Sequence, residues 1–369
     1  MIKTFKYRLY PTRKQIEFID SQIELHRQLY NSALEHRIVC YKNFKHNVGY
    51  NEQATSLKSL REIDERFTEC NFSSLQQTLR RLDKAYKAFF SRIKKGEKAG
   101  FPRFRGKDRF DTIQYGSFGD GCSIKNNKLR LQNIGDVKVK WHRPIEGKIK
   151  TIYITRKNGR YYACFFLDTI PRTLPKTGKS IGIDVGIESF LVTSDELYID
   201  SPKYFRKSEK KLKASQQTLS RRVKGSTRRQ KAKYIVAMTH QKIANQRLDF
   251  LHKIARIIVN ENDIIVVEKL QIQNMIKNRH LSKSIADAGW GMFLQILKYK
   301  AEEAGKRVIE VNPRGTSQEC SVCGEIVKKD LSVRIHSCPY CSSILNRDHN
   351  AALNILKKAR TELSVLACF

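Results

Sequence analysis

Three short stretches of this 369-residue chain place a lone carboxylate where an apolar run ends or a helix begins. They are Ile181-Gly-Ile-Asp184-Val-Gly, Ile264-Ile-Val-Val-Glu268-Lys and Asn346-Arg-Asp348-His-Asn350-Ala-Ala. The first two read as buried strands that end in an acid. An Asp, a Glu and an Asp from different elements of a mixed α/β scaffold suit two-metal phosphodiester chemistry. Carboxylates hold two divalent ions there, and the ions clamp the attacking and leaving oxygens. Singly, each acid has an ordinary use. Asp184 could form a turn, Glu268 could be the first solvated residue after a strand, and Asp348 could cap the helix beginning at Asn350. Their joint chemistry favours the metal-binding use. Asp195, Glu261, Asp263 and Asp287 have no comparable setting. The glycines of the first stretch are expected to let backbone and phosphate come close.

A second constellation is Cys320-Ser-Val-Cys323, then fourteen residues, then Cys338-Pro-Tyr-Cys341. Each Cys-x-x-Cys turn points two sulfurs inward, so two turns complete a tetrahedron around Zn²⁺. A redox pair needs only one such turn. Four sulfurs fill the sphere, so the site is closed and structural, and His336 and His349 read as bystanders. The chain has nine cysteines, an odd number, which argues for a reducing cytoplasm and against a disulfide framework. Cys40, Cys70, Cys122, Cys164 and Cys368 then read as small hydrophobes.

Formal net charge is +35, from 71 Lys and Arg against 36 Asp and Glu. An excess spread over the whole chain points to a polyanion partner, nucleic acid first, with binding that weakens steeply in salt. No stretch approaches the length of a membrane span, and the N-terminus lacks the apolar region of a signal peptide. The expected location is the prokaryotic cytoplasm, in association with the nucleoid.

These chemical groups need elements to position them. Thr12 and Gln15 form a capping box for a helix carrying Ile16, Ile19, Ile23, Tyr30, Leu34 and Ile38. Ser74 and Gln77 read as a second box, opening a helix with Leu75, Leu79, Leu82, Tyr86, Phe89 and Ile93 on one face. Its other face carries Arg80, Arg81, Lys84 and Lys87 and is expected to meet a nucleic-acid backbone. In residues 96–110 aromatics interleave with Arg, suited equally to stacking on bases and to an ordinary connector. Residues 111–170 read as β, with hairpins at Asn126-Asn127 and Asn158-Gly159, and suggest a small barrel. A linker at 171–177 precedes an α/β domain. Residues 203–260 read as a very basic helical pair lining a nucleic-acid channel, kept folded by Leu212, Leu219, Val223, Ile235, Ile243, Leu251 and Ile254. A strand at 263–268, a helix near 285–304 and a strand at 307–311 follow.

Taken together, Gly-Ile-Asp184-Val-Gly, Val-Val-Glu268-Lys-Leu, the paired cysteine turns and Arg-Asp348-His-Asn-Ala-Ala-Leu-Asn-Ile-Leu resemble the TnpB family. These are transposon-encoded RNA-guided nucleases related to type V CRISPR effectors. Tyr7-Arg-Leu-Tyr-Pro and Gly100-Phe-Pro-Arg-Phe-Arg add to the resemblance, which spans nearly the whole chain. It implies an α/β multidomain fold. A wedge-like β-barrel domain would take residues 1–10 and 96–172, with a helical recognition lobe inserted at 11–95. A RuvC, ribonuclease H-like nuclease domain would take 178–317 and 345–369, with a zinc ribbon inserted at 318–344. By the same resemblance Asp184, Glu268 and Asp348 are catalytic and hold Mg²⁺, and Cys320, Cys323, Cys338 and Cys341 hold Zn²⁺. Arg334 matches an arginine near the family's active site. Many members carry Asp where this chain has Asn346. The implied partners are a structured guide RNA from the transposon end and double-stranded target DNA, and the implied activity is metal-dependent, RNA-guided DNA cutting beside a short motif. Two alternatives stay open: a non-cleaving RNA-guided DNA-binding regulator, and a transposase acting directly on element ends.

Overall fold

A computed structural model describes residues 1–330 and 333–367, with side chains through Arg360; Cys368 lies outside the described residues. The chain divides into two units, Met1–Ile170 and Pro171–Phe369.

The first unit opens with strand β1 (Ile2–Tyr10) and helix α1 (Arg13–Phe44). The Thr12 box forms as its spacing predicts: the Gln15 amide donates to Thr12 Oγ1 (3.4 Å), and the Thr12 amide donates to Gln15 Oε1 (3.0 Å). Short helices α2 (Tyr50–Thr55) and α3 (Leu57–Ile63) lead to α4 (Phe72–Lys94). The cap of α4 is Asn71, whose side chain accepts the Ser74 amide at 2.9 Å, and not the expected Ser74 box. Ser74 lies inside the helix, where its hydroxyl meets the buried His26 ring at 2.9 Å.

Six further strands complete the unit: β2 (Thr112–Tyr115), β3 (Cys122–Lys125), β4 (Lys128–Leu131), β5 (Gly135–Lys140), β6 (Lys148–Lys157) and β7 (Arg160–Asp168). Both expected hairpins form, with Asn126, Asn127, Asn158 and Gly159 in the left-handed conformation such tight turns require. The hydrogen-bonded order is β2-β6-β7-β1-β5-β4-β3. It is open, with four-residue strands at both edges, where the run of short strands suggested a closed barrel. One core joins the inner faces of this sheet to α1 and α4. The 96–110 segment divides its aromatics. Phe110 is buried, whereas Phe101 and Phe104 are exposed, Phe101 edge-on to Tyr86 and Phe89.

The second unit begins with β8 (Ser180–Val185), β9 (Ser189–Thr193) and β10 (Tyr198–Asp200). Helices α5 (Tyr204–Ser220) and α6 (Thr227–Glu261) form a long hairpin, followed by β11 (Ile264–Glu268). Then come α7 (Ile272–Met275), α8 (Ser282–Ala288), α9 (Trp290–Ala304) and β12 (Arg307–Val311). A two-stranded ribbon, β13 (Ile335–Ser337) and β14 (Ile344–Asn346), leads into α10 (Arg347–Ala367). The main sheet runs β10-β9-β8-β11-β12, with β11 parallel to both β8 and β12.

Strand alternation decides what each face of this sheet carries. Ile181, Ile183, Ile265 and Val267 join the core made with α6 and α9. Val266 packs on the other face with Ile355 and Ala359 of α10. The sheet is therefore a middle layer between helices. By the same period of two, Asp184 and Glu268 belong to the α10 face.

The α5–α6 hairpin buries only some of its apolar residues. Leu212, Ile243, Leu251 and Ile254 are buried, but Val223 and Ile235, expected to help hold the fold, are exposed. Arg229, within this very basic stretch, ties the hairpin: its guanidinium donates to the carbonyls of Leu219 (2.9 Å) and Arg222 (2.6 Å).

Candidate active site and cysteine cluster

Strands β8 and β11 are parallel and in register, Ile183 beside Val267, so their next residues, Asp184 and Glu268, end neighbouring strands on the same side. The carboxyl ends of parallel strands are where such sheets place ligands. Helix α10 supplies the third acid. It crosses β8 so closely that a Cβ on Gly182 would stand 2.2 Å from the Ala352 carbonyl oxygen and 2.9 Å from Leu356 Cβ. This is what Gly182 is for: backbone-to-helix contact, not the phosphate approach expected of it. Asp348, in the first turn of α10, lies over the turn after β8, its Oδ2 3.8 Å from where a Cβ on Gly186 would sit.

The cap of α10 frees Asp348 for chemistry. Asn346 Oδ1 accepts the amides of Asp348 (2.9 Å) and His349 (3.2 Å), so Asp348 is not the cap its position allowed. An Asp at position 346 would cap equally well.

All three carboxylates are half-buried, and Asp184 senses the charges of the other two. The Asp184 carboxyl is pushed well above the usual carboxylate range, first by desolvation, then by the charges of Glu268 and Asp348; Arg347 offsets only part of this. Glu268 is raised by desolvation, against a hydrogen bond from Thr316 and the charge of Lys358. Thr316 Oγ1 lies 2.6 Å from Glu268 Oε1. A cluster of like charges half out of water fits divalent cations, which supply the missing positive charge without a covalent step.

The cysteines form a tighter set. All four sulfurs lie within 4.8 Å of one another, and among the described residues no other group of three or more potential ligands is that close. Cys320 and Cys341 Sγ are 3.7 Å apart and Cys323 and Cys338 Sγ 3.6 Å. A tetrahedron with Zn–S bonds of about 2.3 Å has edges of about 3.8 Å, so the cage fits Zn²⁺. Burial resists charge on Cys320, yet bonding to Ser343 and to the amides of Cys323 and Val322 brings its thiol down to about 5. Each turn closes alike: Gly324 and Ser342, directly after the second cysteine, are left-handed, and each donates its amide to the first cysteine's carbonyl. His336 is buried, its Nδ1 facing Lys329 Nζ. His349 Nε2 lies 3.2 Å from the Ser194 carbonyl, so neither histidine joins the four-sulfur set.

Arg334 directly precedes β13, and its carbonyl accepts the amide of Arg347, the neighbour of Asp348, at 2.8 Å. Its Nε makes a 3.0 Å ion pair with Glu188 on the loop after β8, and both side chains are exposed. Two of the acids set aside earlier, Asp287 and Asp263, have structural work. Asp287 accepts the Phe205 amide at 3.0 Å and Arg247 at 3.1 Å. Asp263 accepts the amides of Thr177 and Gly178 and pairs with Lys306. Sequence reasoning missed Thr316, Asn350 and Asn354. Their signal is slight: two amides four apart on a helix beside an Ala pair.

Residues 163–279 match a family described as "Probable transposase", 290–355 one described as "Cas12f1-like, TNB domain", and 1–46 a "Helix-turn-helix domain". The last name does not describe the shape, since residues 1–46 are β1 followed by the single helix α1. A "Putative RNA-guided DNA endonuclease" of Streptomyces pristinaespiralis is 31% identical over 363 residues, 96% of this chain and 88% of that relative. The "Putative RNA-guided DNA endonuclease InsQ" of Escherichia coli K12 is 28% identical over 386 residues, 100% and 94% of the two chains. Among solved structures, the mini-RNA-guided endonuclease CRISPR-Cas_phi3 overlays 97% of this chain and 92% of its own with a TM-score of 0.52 at 10% identity, a likeness of fold. No helix among the described residues is long and apolar enough to cross a membrane.

Proposed function

The chain belongs to the TnpB family, and from that premise we propose that it is an RNA-guided DNA endonuclease of an insertion-sequence transposon. The observation that carries the proposal is the meeting of Asp184, Glu268 and Asp348 on the α10 face of the sheet, where each carboxylate raises the cost of charging Asp184. A protein that only bound nucleic acid would gain nothing from that repulsion.

In this reading Asp184, Glu268 and Asp348 hold Mg²⁺. The ions, when bound, supply the charge that activates water and neutralises a leaving 3′-oxygen. The chain's own part is to orient these carboxylates and to present the phosphodiester, and no side chain acts as nucleophile. Exposed cations along the α5–α6 hairpin and its turn, including Lys207, Lys210, Lys211, Arg221, Arg222, Arg228 and Lys231, suit the phosphates of a guide–target heteroduplex or a displaced strand. Base pairing with the guide would read sequence, while the protein reads shape and a short adjacent motif. Cys320, Cys323, Cys338 and Cys341 hold Zn²⁺ and shape the 318–344 ribbon. Residues 1–10 and 96–172 form the wedge-like domain, 11–95 the recognition lobe, and 178–317 with 345–369 the RuvC-like nuclease. Arg334, beside the loop that follows Asp184, assists near the cut.

The test has two stages. RNA copurifying with the protein, expressed beside its native flanking DNA, is sequenced. A discrete RNA running just past the element's end is expected, and only scattered cellular RNA would overturn the guided reading. DNA matched to that RNA is then offered with Mg²⁺. Asp184→Ala should lower cutting by at least about a thousandfold while RNA binding persists. A folded Asp184→Ala protein that had lost its RNA would break the separation of roles.

A further inference from the structure

Helix α10 does more than carry Asp348. Its residues 350, 354, 357 and 358 fall on one stripe, because positions three and four apart lie one above the other on a helix. All four side chains end on the backbone of the segment joining β12 to the first cysteine turn. Asn350 donates to the Glu319 carbonyl (2.8 Å) and accepts the Ser321 amide (2.9 Å). Asn354 donates to the carbonyls of Thr316 (2.9 Å) and Glu319 (2.6 Å). Lys357 reaches the Ser321 carbonyl, and Lys358 the Arg314 carbonyl at 2.5 Å. Asn350 and Asn354 are 0% and 2% exposed, so their amides have no water to fall back on.

The segment so gripped carries Thr316, itself 3% exposed. Its hydroxyl lies 2.6 Å from Glu268 Oε1 and 3.0 Å from the Pro313 carbonyl. A hydroxyl has one proton, and the shorter, charged acceptor takes it. One oxygen of Glu268 is thereby fixed, and among the described residues the other receives no side-chain hydrogen bond.

We propose that Thr316 is a positioning residue for Glu268, set in place by Asn350 and Asn354 through a strap whose far end is the Cys320 turn. The proposal rests on Glu268 being a metal ligand of the nuclease site. It makes the cysteine cluster and the carboxylates two ends of one mechanical connection. Cys320 and Cys323, which would hold Zn²⁺ at the strap's far end, would then bear on Glu268 through the strap's backbone.

The experiment compares Thr316→Val, Thr316→Ser and Glu268→Ala in the full chain with its copurifying RNA. It reads zinc content, target binding, Ca²⁺ and Mg²⁺ binding by calorimetry, and single-turnover cutting. Val keeps the shape and loses the hydroxyl; Ser does the reverse. Thr316→Val should weaken divalent-ion binding and cutting by about 10–100-fold, as loss of a ligand-orienting partner does, with zinc and target binding unchanged. Thr316→Ser should restore most of both. Should Thr316→Val lose its zinc, Thr316→Ala is ranked against Ser in its place. Val or Ala equal to or better than Ser overturns the positioning role, and if Glu268→Ala is then inactive the nuclease reading still stands. Glu268→Ala cutting like the parent overturns that reading itself.

Discussion

The cysteine cluster and the carboxylate cluster lie in the same unit yet are built on opposite plans. The cysteines come from two turns of four residues, each closed by its own backbone bonds and a left-handed residue, and their sulfurs already stand at zinc spacing. The carboxylates come from the ends of β8 and β11 and the start of α10, brought together only when the sheet and helix have formed. Nothing local holds them, and their charges oppose the assembly. The lesson is about where stability comes from. The closed site contributes to its own fold, whereas the open site is held by its surroundings: Gly182 beneath the helix, Asn346 at its cap, and the strap through Thr316. Each prediction below strikes one side of that contrast.

The largest effect belongs to the closed site. Cys338→Ser should drop the zinc content to near zero, since structural zinc contributes about 10–16 kcal/mol to small domains that depend on it. The ribbon should then be cut readily by protease within 318–346, and DNA cutting should fall with it. Zinc lost while cutting persists would separate the two regions that the strap connects. The open site should be broken next most severely from below. Gly182→Ala forces a Cβ to within 2.2 Å of a backbone oxygen that cannot step aside. A cost of about 3 kcal/mol is expected, lowering the melting temperature of the second unit by about 5–10 °C. An unchanged melt would mean α10 sits less tightly on β8 than described.

Removing a charge from the open site should do the opposite to stability. Folding raises the pKa of Asp184, so the native state holds this proton to higher pH than the unfolded chain. Stability of the metal-free protein therefore falls as pH rises from about 4, the unfolded Asp value, through the raised folded value. Asp184→Asn has no such loss. Without divalent ions it should melt a few degrees above the parent at neutral pH, and the gap should close as pH approaches 4. Mg²⁺ should close it too, by stabilising the parent alone. A parent whose stability is flat across this range would show that the carboxylates do not repel one another.

What the sequence made legible follows the same contrast. Cys-x-x-Cys turns, the Asn-Asn and Asn-Gly hairpins and acids at the ends of apolar strands are local signals, and each of these elements formed where it was read. What stayed hidden depended on distant partners. Ser74 looked like a cap because Gln77 follows it by three, but His26, 48 residues away, engages its hydroxyl, and Asn71 caps instead. Arg229 is one cation of a basic run in the sequence, and the backbone it ties lies seven to ten residues earlier across a turn. Asn350 and Asn354 read as polar residues on an Ala-rich helix, and the carbonyls they grip lie 31 to 38 residues upstream. The glycine of the first motif was visible, but its reason, the Ala352 carbonyl, was not.

The smallest effect is the most discriminating test of how far the open site extends. Asn346→Asp places an acid at the cap of α10, two residues before Asp348. If residue 346 is only a cap, either side chain accepts the amides of Asp348 and His349, and the two are about equal at that job. A charge at the helix N-terminus gains a few tenths of a kcal/mol from the dipole, and its repulsion by Asp348 takes back a similar amount. Stability should shift by no more than about 0.5 kcal/mol in denaturant titration, and cutting should stay within about twofold of the parent. A tenfold change in cutting at unchanged stability would mean that the cap's charge reaches the ions. The neutral Asn346 would then belong to the site, and α10 would place two groups there where the present geometry assigns it one.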